Sequence, residues 1–327
     1  MTIVDEPPPI LIEPAGPDDP SGTAPIKAER MPFGRWMRRV GWRHAVAIIM
    51  VAWALFPALY VITLAFSGGN TLTAACSPDK TGLSAAACVI PHKFSLDNFD
   101  TLLHSDQWPF TTWAKNTLIL AVVNSFAALL MGAAAAFAFS RMRFKGRRTG
   151  LLTLMLVQMF PGVLAITAIY TLLRRVLDVS TTFGLGSIWG LALVYLGGAL
   201  GVNTFLMKGY FDTLPKEIDE SARIDGAGHV KIFFGLILRL AMPILIVVFF
   251  VSFQATFNEL PIASVVLPDQ SNTTVAVGLN SLVSNPLIQQ WGLMAAGGVM
   301  AAIPLLVLFL FTSRSLVTGM TAGAVKG

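Results

Sequence analysis

Four amides, Asn124, Gln158, Asn203 and Gln254, stand inside long apolar stretches, and Asn258 and Glu259 close the fifth of these stretches. A side-chain amide carries two N–H donors and one carbonyl acceptor, so it can exchange hydrogen bonds with a hydroxyl-rich solute or with a neighbouring helix. The residues alone leave both uses open: a candidate polar path, or ties between helices. Glu259, being charged, can also simply stand at a membrane surface. A second group is the polar block Lys208–His229, which lies between apolar stretches. Thr213 as a cap, Pro215 near a helix start and Glu217, Asp219 and Glu220 at the positive end of the dipole predict a short helix over 215–225. Gly226 would end it in a left-handed or closely packed conformation. Such a block has no lipid to meet, so it points to a soluble partner.

Catalytic patterns are missing. There is no His-Glu-x-x-His helix, no Gly-x-Ser-x-Gly elbow and no phosphate loop. Ser67-Gly68-Gly69-Asn70 faintly resembles a nucleotide-hydrolase signature, but it follows the first apolar stretch with no phosphate loop beside it and reads as a loop. The expectation is a chain that is not an enzyme and holds no cofactor or metal. The apolar stretches also lack the buried acid and base chains of ion-coupled carriers, so the energy source is expected in a partner.

The elements that must position these residues are membrane spans. Hydrophobic residues make up 54% of the chain and charged residues 13%, against about 25% charged in soluble domains; the mean hydropathy is +0.68. Six stretches, at roughly 44–66, 116–139, 150–173, 187–207, 240–257 and 293–312, can each cross about 30 Å of hydrocarbon. The first is too long for the apolar core of a cleaved signal peptide. Residues 1–43 read as a disordered cytoplasmic tail, acidic and proline-rich to about residue 30 and basic thereafter.

Of the 23 Lys and Arg, all but Lys80, Lys93, Lys115, Arg174 and Arg175 fall on one side of a six-span arrangement with both termini inside. The positive-inside rule therefore places 67–115 outside and 208–239 in the cytoplasm, and the net charge of +5 reads as topology and not as nucleic-acid binding. Both cysteines, Cys76 and Cys88, fall in the outside loop. They are two free thiols or a disulfide, which oxidising space would preserve.

Two sets of residues carry a resemblance. The spacing Glu220-Ser221-Ala222, three residues, Gly226 resembles the EAA loop of ABC-importer permeases. Phe139-Ser-Arg-Met-Arg-Phe-Lys-Gly146, Gln158-Met-Phe-Pro-Gly-Val-Leu164, Tyr195-Leu-Gly-Gly198, Lys208-Gly-Tyr-Phe211, Glu259-Leu-Pro-Ile-Ala-Ser264 and the terminal Gly319-Met-Thr-Ala-Gly-Ala-Val-Lys-Gly327 resemble the MalG-type permeases of maltose and maltodextrin importers. The resemblance covers the chain from the first span to the last residue. It implies an all-α, six-helix membrane domain over 44–327 with the type I ABC-importer permease fold, moving maltose or maltodextrin inward by alternating access; trehalose and other oligosaccharides are the alternative cargo. It also implies partners besides membrane lipid: a second, MalF-like permease, two copies of a cytoplasmic ATPase and an extracytoplasmic sugar-binding protein. Carried onto this chain, Glu220, Ser221, Ala222, Asp225 and Gly226 would couple to the ATPase. Residues 272–285 would reach the binding protein, and Thr321, Gly323, Lys326 and Gly327 in the tail 319–327 would touch the ATPase pair.

Two positions depart from the pattern. Ser221 replaces an alanine, and Arg239 replaces a proline, so the bend after the coupling loop is expected at Pro243 instead. A self-sufficient carrier would need intramembrane ionisable pairs, which the spans lack. A membrane scaffold would have no use for the coupling-loop spacing. Proline in the third span at Pro161 and in the sixth at Pro304 predicts a kink or break in each.

Overall fold

A computed structural model describes residues 41–73, 91 and 93–322, and of residues 314–322 the backbone only. Cys76, Cys88, Gly323, Lys326 and Gly327 lie outside the described residues, as does the tail to residue 40. The chain divides into two compact units, Met1–Leu59 and Tyr60–Gly327. In the first, the described residues are helical and almost wholly exposed, within the apolar helix α1 (Trp42–Ala65).

The second unit is helical throughout its described elements: α2 (Asp97–His104), α3 (Phe110–Arg141), α4 (Arg147–Gln158), α5 (Ile166–Leu177), α6 (Ile188–Gly198), α7 (Val202–Thr213), α8 (Glu217–Ile224), α9 (His229–Leu240), α10 (Met242–Phe257), α11 (Pro261–Val266), α12 (Val275–Ser284) and α13 (Trp291–Ala322). Three helices, α1, α3 and α13, are long and apolar enough to cross a membrane unbroken. Three more crossings arise if α4 with α5, α6 with α7, and α9 with α10 each count as one bent span, for up to six.

The bends have local causes. Pro161 has no N–H to continue α4, and the chain turns by 81° before α5. Between α9 and α10 it turns by 82° at Ala241, two residues before the expected Pro243, which lies in the first turn of α10. A π-turn at Phe233–Ile237 precedes that bend. Pro304 behaves otherwise: α13 continues through it without a break. The 47° bend between α6 and α7 falls at Ala199–Gly201 without a proline.

Helix α3 is the centre of the unit. It packs most extensively against α10 and α7, and also meets α6 and α12. Ala128, Gly132 and Ala136, spaced four apart, are all buried. A Cβ on Gly132 would stand 2.5 Å from Met207 Cε, so the small side admits α7 at close range. The neighbouring core gathers Phe137, Met207, Phe211, Ala222, Ile232 and Phe233, which seats the inner face of α8.

Candidate functional site

Helix α8 presents two unlike faces. Asp219 and Ala222 point into the protein, whereas Glu217, Glu220, Ser221, Ile224 and Asp225 are exposed. Its three first-turn acids complement the positive end of the dipole, but Thr213 does not cap it: that hydroxyl donates to the Tyr210 carbonyl, and the cap position is Lys216. The helix therefore starts two residues later than its sequence predicts. Its other end is closed by a Schellman pair, Gly226 N–H to Arg223 O at 3.0 Å and Ala227 N–H to Ala222 O at 2.9 Å. Gly226 has φ +79°, as expected for a left-handed stop, although the space around its Cα is open and not closely packed. Ile224, 87% exposed at the tip, had no signal in the sequence beyond its place between polar neighbours.

The amides separate into three groups. Asn124 on α3 donates to Thr256 Oγ1 at 2.6 Å, and Asn203 on α7 donates to Ser252 Oγ at 3.1 Å. Both partners belong to α10, one turn apart, so two hydroxyls receive two amides from different helices. Together with Tyr195, Glu259, Ala128, Gly198 and Ala255 they line a cavity of about 280 Å³. Asn124 Oδ1 is buried and without a partner among the described residues. Glu259 does not stand free at a surface: it accepts Tyr195 O–H at 2.6 Å and the backbone N–H groups of Ile262 and Ala263 at 2.7 and 2.8 Å, capping α11.

Gln158 belongs elsewhere. Its side chain fills the notch at Gly201, where a Cβ would fall 0.8 Å from Gln158 Nε2, so it joins the break in one bent pair to the break in the next. Gln254 on α10 and Asn258, which caps its end, are exposed and do not line the cavity. Tyr195, Ser252 and Thr256 line it without having been singled out by composition, because single hydroxyls do not interrupt an apolar stretch. Thr321 lies in the last turn of α13.

At the end of α3 that carries Arg141, a second cleft of about 750 Å³ is lined by Ser140, Arg143, Arg147, Lys216, Glu220 and Arg223 among others. Arg141 and Asp219 also line it, with Arg141 Nε 2.9 Å from Asp219 Oδ2 and both side chains almost fully buried. At the opposite end, Trp113 Nε1–H donates to Gln270 O at 2.7 Å, and Asn116 donates to Asn272 Oδ1 and Thr273 O, each at 3.1 Å. Asp269 in this loop accepts the Ser271 N–H, which holds its carboxyl below the usual range. Among the described residues no cluster of His, Cys, Asp and Glu is placed to hold a metal.

Bent apolar helices around a small cavity lined in part by amides and hydroxyls, with an amphipathic helix displayed at one end, fit the membrane component of a transport system. Residues 126–317 match the family described as binding-protein-dependent transport system inner membrane component, and the chain belongs to that family. It is 38% identical over 273 residues to the maltodextrin transport system permease protein MdxG of Bacillus subtilis, covering 84% of this chain and 91% of that protein. It is 36% identical over 284 residues to the maltose/maltodextrin permease MalG of Salmonella typhimurium, covering 87% and 95%. A solved bacterial ABC transporter involved in importing the acidic polysaccharide alginate has a chain of the same fold, with TM-score 0.70, 21% identity and coverage of 88% of this chain and 100% of that one. The chain is therefore a multi-pass inner-membrane permease subunit. It is not itself an enzyme; catalysis in such systems resides in an ATPase partner.

Proposed function

We propose that this permease moves a neutral glucose oligosaccharide, maltose or maltodextrin, into the cell by alternating access, as one subunit beside a second permease, two ATPase copies and an extracytoplasmic binding protein. The observation that carries the reading is the 38% identity to a maltodextrin permease over 84% of the chain. The cavity agrees with it in chemistry. Its amides, hydroxyls and Tyr195 can exchange hydrogen bonds with sugar hydroxyls and offer a ring face, while its one carboxylate and lack of any Lys or Arg disfavour a polyuronate. Trehalose, another neutral glucoside, remains the second reading on the same chemistry.

In this reading each bent pair is one span, giving six, with both termini in the cytoplasm and the exposed face of α8 docked on the ATPase. Glu220, Ser221 and Asp225 supply its polar contacts and Ile224 its apolar tip, while Ala222 seats the helix and Gly226 ends it. Gln254 and Asn258, exposed on a membrane helix and at its end, are too costly to leave in hydrocarbon and face the second permease or the wet path beside it. Purification of the tagged chain from its own cells tests the assembly. An ATPase and a sugar-binding protein retained with it support import; a chain recovered alone, active in uptake, supports a self-sufficient carrier.

A further inference from the structure

Three of the possible crossings are bent, but α3 runs unbroken and without proline from Phe110 to Arg141. Both ends of this helix are fixed by polar contacts to segments distant in sequence. At one end Arg141 holds two partners at once: Asp219 of α8 through Nε at 2.9 Å, and the Leu214 carbonyl, where the chain leaves α7 for α8, through Nη2 at 2.9 Å. Ser140 beside it donates to Asp212 Oδ1 at 2.6 Å, adding a tie to the last turn of α7. At the other end Trp113 and Asn116 grip the Gln270–Thr273 loop, and Thr117 Oγ1 accepts the first N–H of α12 at 2.8 Å.

The Arg141–Asp219 pair is the only ion pair among the described residues buried on both sides, with side-chain exposures of 2% and 3%. Arg141 Nε and Nη1 and Asp219 Oδ1 have no hydrogen-bond partner among the described residues, so the 2.9 Å contact is an ion pair without hydrogen-bond alignment. An incompletely satisfied buried pair is a poor device for stability, since well-packed apolar residues in its place are often neutral or better. It is a good device for position, because each charge is buried where it lies and loses its one charged partner if the other moves.

Resting on the importer reading, we propose that Arg141 and Asp219 are positioning residues that lock the ATPase-docking helix to α3, so that the two move as one body. Helix α3 then works as a rod: displacement of α8 at one end shifts the Gln270–Thr273 loop and α12 at the other. From Asn116 to Arg141 this rod is roughly 37 Å long at 1.5 Å per residue, enough to cross the membrane. The energy of the ATPase and the engagement of the binding protein thus meet on a single helix.

The test uses the full complex reconstituted in vesicles with its binding protein, measuring sugar taken up and ATP hydrolysed per assembled complex. Wild-type uptake in the same assay tests the importer reading separately. Asp219→Asn and Arg141→Gln are expected to lower sugar moved per ATP by roughly tenfold, because a stranded charge is resolvated by loosening the joint. The exchange Arg141→Asp with Asp219→Arg is expected to restore part of the ratio. A merely structural pair would lower the amount of complex and leave the ratio per assembled complex at the wild-type value, which overturns the proposal. Asn116→Ala, at the far end and uncharged, decides independently. It is expected to leave assembly intact and to abolish the stimulation of ATP hydrolysis by the binding protein; stimulation at the wild-type level also overturns the proposal.

Discussion

Asn124 Nδ2 donates to Thr256 Oγ1 at 2.6 Å across the contact of α3 with α10, while its carbonyl oxygen is left without a partner in a residue that lines the cavity. The tie reading is therefore met by the donor, and the path reading rests on the acceptor. The donor holds the helices, and the acceptor, buried at the cavity wall, would meet a solute hydroxyl only as the helices part.

Asn124→Ala removes both. Loss of one neutral hydrogen bond contributes about 1 kcal/mol, so the half-saturating sugar concentration for uptake should rise about fivefold. The amount of complex in the membrane should change little. Uptake titrated with labelled maltotriose reads this directly, and an unchanged half-saturation would leave Asn124 as a tie only.

The left-handed end of α8 gives a sharper substitution. Gly226 has φ +79° with open space around it, so a β-branched residue is penalised by backbone strain and not by a clash. Forcing that conformation on an L-residue costs about 1–2 kcal/mol, and a tenfold weaker hold on the ATPase corresponds to about 1.4 kcal/mol. Gly226→Val should insert normally and lose ATPase during washing by roughly that factor, whereas Gly226→Asn, which tolerates the left-handed region, should lose less. Equal retention in the two variants would contradict the role of the turn.

Cys76 and Cys88 test the orientation inferred from charge. With 67–115 outside, an impermeant thiol reagent should label both in intact cells stripped of any outer barrier, after reduction if they are paired. Labelling confined to inverted vesicles would reverse the assignment.

The C-terminal segment 319–327, which begins in the last turn of α13, is expected to lie against the ATPase pair. Removing Thr321–Gly327 should leave membrane insertion intact while it weakens assembly or lets ATP hydrolysis run without the binding protein. A truncated complex that assembles and transports as the full chain does would show that the tail has no such contact.

The apolar stretches were legible because lipid demands long uninterrupted runs, and two of the three bends were legible because proline removes an N–H. The bend at Ala199–Gly201 was not, because it has no proline, and at Pro304 the helix runs on without a break, since a long membrane helix can re-satisfy the one freed carbonyl. The exposed face of α8 followed from its spacing and its glycine stop. Its joint to α3 did not: Asp219 reads as one of three first-turn acids and Arg141 as one of the charges that set orientation, and only the fold reveals that both are buried. The cavity was half legible. Asn124 and Asn203 stood out as amides in apolar runs, but Gln254 and Asn258 in the same kind of run point away from it, since one helix offers several faces and composition does not say which is wet.

The measurement closest to the central claim is uptake of labelled maltotriose and trehalose by the complete complex in sealed vesicles, with ATP supplied on the ATPase side and the sugar-binding protein on the other. The account predicts accumulation of maltotriose that requires both ATP and the binding protein, with trehalose slower. Accumulation that continues without ATP or without the binding protein, or a complex that moves neither sugar, would contradict it.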